Sequence, residues 1–142
     1  MTEKSTTPNL IELMRRGFEA ISTGDLDQAL PFLTHDAVVD MTRTVGVVVH
    51  GRDAVRAFQE GWLAGYDEVA YAAEEIVDAG NGVAFVSVLQ TARPKGTAGY
   101  VTQREPNVLI TEDGRVVRMI IYPESERDEA RADAARLAEE RG

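Results

Sequence analysis

One ordered run, from Gly24 to Phe58, constrains this chain more than any other segment. Gly24 suits a left-handed helix stop, and Asp25 then caps a second helix, with Gln28 three residues on. Leu26, Ala29, Leu30 and Leu33 form the apolar side of that helix, and Pro31 removes a backbone donor, so the helix is predicted to be short or kinked. Two β-rich runs follow at residues 37–42 and 45–50. Gly51 and the acidic Asp53 then suit a helix start, Val55, Phe58 and Trp62 give that helix one apolar face, and Gly65 ends it.

Upstream, Leu10, Met14, Phe18 and Ile21 repeat at helical spacing. Pro8 suits a first helical position, and Asn9 with Glu12 forms an alternative capping box. Downstream of residue 67 the period falls to two. Strands are predicted from Val69 through Val77, over residues 83–91, 99–111 and 116–122, with turns at Gly80-Asn81-Gly82, Arg93 to Gly96 and Asp113-Gly114. Pro106 inside the third of these implies an edge, a bulge or a bend. Residues 124–141 return to helical composition, with Ala130, Ala134, Leu137 and Ala138 as a thin apolar stripe among charges, which predicts a mostly solvated helix.

At 142 residues and 44% apolar content the chain suits one globular domain with its own core. Its formal charge of −9 and its lack of a basic run argue against nucleic acid and anionic membrane surfaces as partners. With no cysteine, disulfides, thiol catalysis and thiolate metal sites are excluded. No apolar leader precedes the first helix, and no stretch approaches the roughly 20 apolar residues of a membrane helix, so a cytoplasmic protein is the expectation.

Helix, helix, two short strands, helix and a long antiparallel meander is an order that resembles the nuclear transport factor 2-like fold, and within it the SnoaL-like group. The residues that carry the likeness are Gly24-Asp25-Leu26-Asp27, His35 to Met41, Gly51 to Phe58, Glu105-Pro106 and Asp113 to Arg118. The resemblance implies an α+β domain over residues 7–123, with a strongly curved antiparallel sheet wrapped around the N-terminal helices as a cone. Residues 1–6 are expected to be a disordered N-terminus, and residues 124–142 an extra acidic C-terminal helix. It also implies an apolar pocket that takes a small apolar molecule, and a homodimer formed through the outer sheet face. Members of this superfamily include ketosteroid isomerases, epoxide hydrolases, cyclases, dehydratases and proteins with no known reaction, so the fold leaves the chemistry open.

Set against the isomerase pattern, Gly17 stands where the donor tyrosine lies and Met41 where the base lies, with Asp40 one residue earlier. One residue along a strand is the opposite face. Asp40 is therefore either a base in the pocket or a strand-end polar group. The spacing that marks the hydrolases' arginine-bridged carboxylates is missing, because Arg104 is followed two places on by Pro106, which leaves a meeting of Arg93, Arg104 or Arg118 with Glu105 to the tertiary fold. Glu105 is the stronger acid–base candidate. Gln103, Glu105 and Asn107 share one strand face with Val101 and Leu109, which suits a pocket lining or, with Tyr100, Val108 and Ile110 inward, a solvated outer face. His50 is a third candidate, a proton shuttle if it points inward and a surface group otherwise. Trp62, Tyr66, Phe58, Phe18 and Met41 are expected in the core or pocket wall, and Tyr122 either at the pocket mouth or packed on the sheet.

His35 and His50 lie far apart and lack metal-ligand spacing, and no glycine-rich phosphate loop is present, so neither a metal nor a cofactor is expected. Two readings follow. In the first, cofactor-independent acid–base catalysis uses Glu105, Asp40 and His50, with Asn107, Gln103 and Tyr122 polarising the ligand. In the second, the chain is a non-catalytic ligand-binding or dimerisation module.

Overall fold

A computed structural model describes residues 6–142. The N-terminal segment expected to be disordered lies outside these residues except for Thr6, which is helical. Helix α1 spans Thr6–Ser22, so Asn9 falls inside the helix. Helix α2, Leu26–Ala29, is opened by Asp25, whose side chain accepts a hydrogen bond from the Asp27 amide at 2.9 Å. At Pro31 the chain tightens into a 3-10 turn, Leu30–Phe32, as a proline in that position requires.

Strands β1 (Leu33–Met41) and β2 (Val47–His50) form a hairpin, and helix α3 (Arg52–Leu63) follows. Then come β3 (Tyr66–Gly80), β4 (Val83–Pro94), β5 (Val101–Glu112) and β6 (Arg115–Ile121), and finally a 3-10 turn at Glu124–Glu126 and helix α4 (Arg127–Arg141). The six strands form one sheet in the order β2-β1-β6-β5-β4-β3. The expectation of a purely antiparallel sheet needs one correction: β1 lies parallel to β6, with Val39 opposite Met119 and Asp40 opposite Ile120. Only a long-range pairing of this kind closes the N-terminal hairpin onto the meander, and no local signal encodes it.

The turns at Asn81-Gly82 and Asp113-Gly114 hold all four residues at positive φ, between 53° and 80°. This is the geometry that two-residue hairpins favour. Pro106 is not in a bulge, because the β4–β5 register runs unbroken through Ser87 opposite Pro106; it stands at a local edge, because the β6 pairing ends at Asn107 opposite Ile121. The proline sits where β6 is ending. Its carbonyl accepts from the Tyr122 amide at 2.9 Å, and the donor it lacks would have faced the first residue beyond β6.

The centre of the sheet is buried on both faces. On one face Ala84, Val86, Val88, Leu109 and Val116 pack with Leu10 and Met14 of α1. On the other, Val83, Phe85, Val108, Ile110, Ile120 and Tyr122 pack with Ala130, Ala134 and Ala138 of α4. The C-terminal helix is mostly exposed, as its composition implies, and the thin apolar stripe read there is its buried side. Its three alanines are 0%, 1% and 4% exposed, and a methyl-only stripe lets the helix backbone approach the sheet closely.

Candidate functional site

A cavity of about 420 Å³ opens on the face of the sheet that α1 to α3 cover. Its wall is largely apolar. Met14 and Phe18 come from α1, Val39 and Met41 from β1, and Phe58 and Trp62 from α3. Alternation along β1 explains why Val39 and Met41 face in: both are under 9% exposed, and residues two apart share a face. Trp62 packs on Tyr66 with ring centroids 4.5 Å apart. Val45, Phe58 and Val101 line the cavity and are also exposed, so an apolar rim surrounds its mouth.

The polar part of the wall comes from three adjacent strands. Tyr71 of β3 stands opposite Gln90 of β4, and Gln90 opposite Gln103 of β5. On the next rung of that face lies Glu105, opposite Val88, and then Asn107, opposite Val86. Because the ladder has no bulge at Pro106, the alternation holds, and Gln103, Glu105 and Asn107 all line the cavity. Gln103 Nε2 donates to Glu105 Oε2 at 3.3 Å, and Asn107 Nδ2 donates to the Glu105 carbonyl at 3.3 Å. Asn107 is 2% exposed and its Oδ1 has no hydrogen-bond partner.

Burial pushes the Glu105 carboxyl above the ordinary glutamate range. Burial also pushes the Tyr71 phenol up to about 12, with the nearby Glu105 charge adding to the rise. Tyr71 Oη accepts from Gln59 Nε2 at 3.1 Å, which leaves its own proton free to donate. Among the described residues that line the cavity, Glu105 is the only aspartate, glutamate, lysine, arginine or histidine.

Three of the residues singled out in the sequence lie away from this cavity. Asp40 alternates with Val39 and Met41 and so faces the other way. Its carboxylate accepts from the Thr42 amide at 3.0 Å and the Thr42 hydroxyl at 2.7 Å, with Arg118 at 3.5 Å. The Thr42 amide, followed by its hydroxyl and by Arg118, holds the Asp40 carboxyl below the usual range, the reverse of what a base near neutral pH needs. His50 is exposed and alternates with Val49, which lines the cavity. Tyr122 packs on the α4 face, with its hydroxyl donating to Asp133 Oδ2 at 2.7 Å, so it is not at the mouth. Tyr71, Gln59 and Gln90 were not foreseen as site residues. Gln90 carried a usable signal, being the one amide in the otherwise apolar or hydroxyl-bearing run from Val83 to Ala92.

Among the described residues no three histidine, aspartate or glutamate side chains converge as a metal site, and no helix is long and apolar enough to cross a membrane.

Comparison with known proteins bears on the family and the fold. The sequence profile of the SnoaL-like domain matches residues 14–119. No curated protein matches the chain in sequence. Among solved structures, an NTF2-like protein of unknown function from Burkholderia pseudomallei is similar at 21% identity and a TM-score of 0.71, over 92% of this chain and 97% of that one. A protein described as a SnoaL-like polyketide cyclase, from Jannaschia sp. CCS1, is similar at 15% identity and a TM-score of 0.70, over 91% and 94%. TerC, co-crystallised with polyporic acid, is similar at 13% identity and a TM-score of 0.69, over 89% and 98%. Likeness at these identities establishes the fold.

Proposed function

The chain belongs to the SnoaL-like family, and from that premise we propose that its cavity binds a small, largely apolar, uncharged molecule and that Glu105 moves a proton on it. One observation carries this reading: a single carboxyl, desolvated and without a counter-charge, faces an otherwise uncharged cavity. A carboxylate so placed is a stronger base than a solvated one. Tyr71, with a free phenolic proton, and the amides of Gln90 and Gln103 supply donors for the oxygen on which charge develops when a carbon acid loses its proton. Isomerisation, cyclisation and dehydration are the reaction types this set serves. The co-crystallisation of TerC with polyporic acid supports reading the shared fold as a holder of small molecules.

A second reading is a non-catalytic ligand-binding module. It is favoured by the absence of a second carboxyl, or of any histidine, lysine or arginine, from the cavity wall among the described residues, which leaves every proton movement to Glu105 and the cavity's phenols.

Ring opening of nitrobenzisoxazole separates the two. It is an uncharged, flat compound from which a base takes one carbon-bound proton as the N–O bond breaks, giving a coloured cyanonitrophenolate. The proton-transfer reading expects turnover above buffer, and kcat/KM lower by about 100-fold or more in Glu105→Gln. Because the base acts deprotonated, the rate should rise with pH through a midpoint above the ordinary glutamate value of about 4.3. Binding of this compound with no turnover above buffer supports the module, and equal rates in the wild type and Glu105→Gln remove Glu105 from the mechanism.

For assembly, we propose a homodimer that uses the part of the outer sheet face that α4 leaves open, around Thr102 and Arg104 of β5. Sedimentation of Arg104→Glu against the wild type tests it. A dimer in both would place the contact elsewhere, and a monomer in the wild type would remove the proposal.

A further inference from the structure

The loop 42–46 joins the two faces of the molecule. Its backbone is tightly wound, with the amides of Thr44, Val45 and Gly46 all donating to the Met41 carbonyl at 3.1, 3.0 and 2.9 Å. Toward the cavity it presents Thr44 and Val45, and Val45, at 62% exposed, stands on the rim of the mouth. Away from the cavity it presents Arg43. That guanidinium donates to Glu126 Oε1 at 2.7 Å and Glu129 Oε2 at 2.6 Å, lies 3.7 Å from Asp133 Oδ2, and covers the Tyr122 ring at 4.7 Å. Tyr122 in turn donates to Asp133, so cation, ring and three carboxylates form one network. Among the described residues, the hydrogen bonds and ion pairs from this loop to residues 124–141 all pass through Arg43.

We propose that Arg43 is a positioning residue, whose grip on the acidic face of α4 holds the mouth loop in place and so governs how freely small molecules pass into the cavity. The inference rests on the cavity being the ligand site. An isolated exposed ion pair would do little here. This one differs because the arginine is shared among three acids and sits on a buried aromatic ring, so its geometry is set from several sides. The loop is short and internally bonded, so a shift at Arg43 moves Thr44 and Val45 with it. Helix α4 thereby acquires a role at a cavity on the far side of the sheet without contributing a residue to its lining.

Trp62 is the only tryptophan of the chain and lines the cavity, so its quenching by acrylamide, a small neutral molecule, reports access without any ligand. Replacement of Arg43 by alanine should raise the quenching constant about twofold by freeing the loop, with Arg43→Lys intermediate because one ammonium cannot hold three acids in the same fork. Arg15→Ala, which removes the pair with Glu12 on α1 away from this loop, should leave it unchanged. In the wild type, about 1 M sodium chloride should raise the constant toward that of Arg43→Ala, and the variant itself should be flat to salt. Three results would overturn the inference: a folded Arg43→Ala that quenches like the wild type, a wild type insensitive to salt, or a salt response that persists in the variant. The wild-type salt arm requires no substitution to fold. Neither arm uses Glu105, so loss of the proton-transfer reading would leave this result unaffected.

Discussion

Glu105 is the one carboxyl among the described residues that faces the cavity, and its burial has a cost that is open to measurement. A carboxyl whose folded-state pKa is raised binds its proton more tightly folded than unfolded. Its ionisation therefore works against folding, beginning as pH rises past the unfolded value of about 4.3 and reaching its full extent above the folded-state pKa. Glu105→Gln should accordingly be more stable than the wild type toward urea at pH 7, and the difference should shrink toward zero near pH 4. An equal gain at both pH values would assign the effect to packing. At the β3–β4 turn, Gly82 has φ 80°, and an added Cβ would stand 2.8 Å from the Thr111 carbonyl oxygen. At the β5–β6 turn, Gly114 has φ 78° and open space around it. Both alanine variants bear the left-handed backbone strain of about 1–2 kcal/mol, and Gly82→Ala should lose measurably more in equilibrium unfolding because the strand must also shift. Residue types were legible in the sequence, including the Gln103, Glu105, Asn107 triplet. Which side they faced was not, because a proline in a strand permits a bulge, and only the unbroken register with β4 excludes one.

Among the elements, α4 shows how few residues can carry a contact. Its acids and arginines describe an exposed helix, and most of its surface is exposed. Its energetics reside in Ala130, Ala134 and Ala138, which lie against Phe85, Val108 and Tyr122. A glutamate at Ala134 must enter that contact without room or partner, so Ala134→Glu should cost about 2–4 kcal/mol in denaturant unfolding, while Ala135→Glu one position around the helix should stay within about 0.5 kcal/mol. Comparable losses at both positions would mean that helix propensity, and not the alanine contact, decides. Strand β1 makes the complementary case. Its alternation sends Val39 and Met41 inward and Asp40 outward, and that much follows from period two. The parallel pairing with β6 that puts Arg118 beside Asp40 does not, since the two residues are 78 positions apart in the chain.

For the molecule as a whole, the distribution of charge matters more than its sum. The chain carries −9, yet among the described residues the cavity wall holds one ionisable acid and no cation. An anionic ligand would have to shed its hydration, approach a negative protein and meet the Glu105 carboxyl with no cation among the described lining residues. Calorimetry with naphthol and naphthoate, similar in size, should therefore show the uncharged compound binding at least about tenfold more tightly, the difference expected where a charge is buried unpaired. Equal affinities would argue that ligands sit at the rim and not within.

The sequence alone determined the kinds and order of the elements, because caps, glycine turns and hydrophobic period are local and each is written within a few residues of where it acts. It also determined that an acid with amide neighbours lies on one strand. Tertiary structure decided the rest: that Glu105 faces a cavity and Asp40 and His50 do not, that Tyr71 and Gln90 join Glu105, and that α4 lies on the opposite face with Tyr122 beneath it. These outcomes depend on strand register and on which surfaces are removed from water together. Both are set by contacts between residues tens of positions apart, which no window of sequence contains.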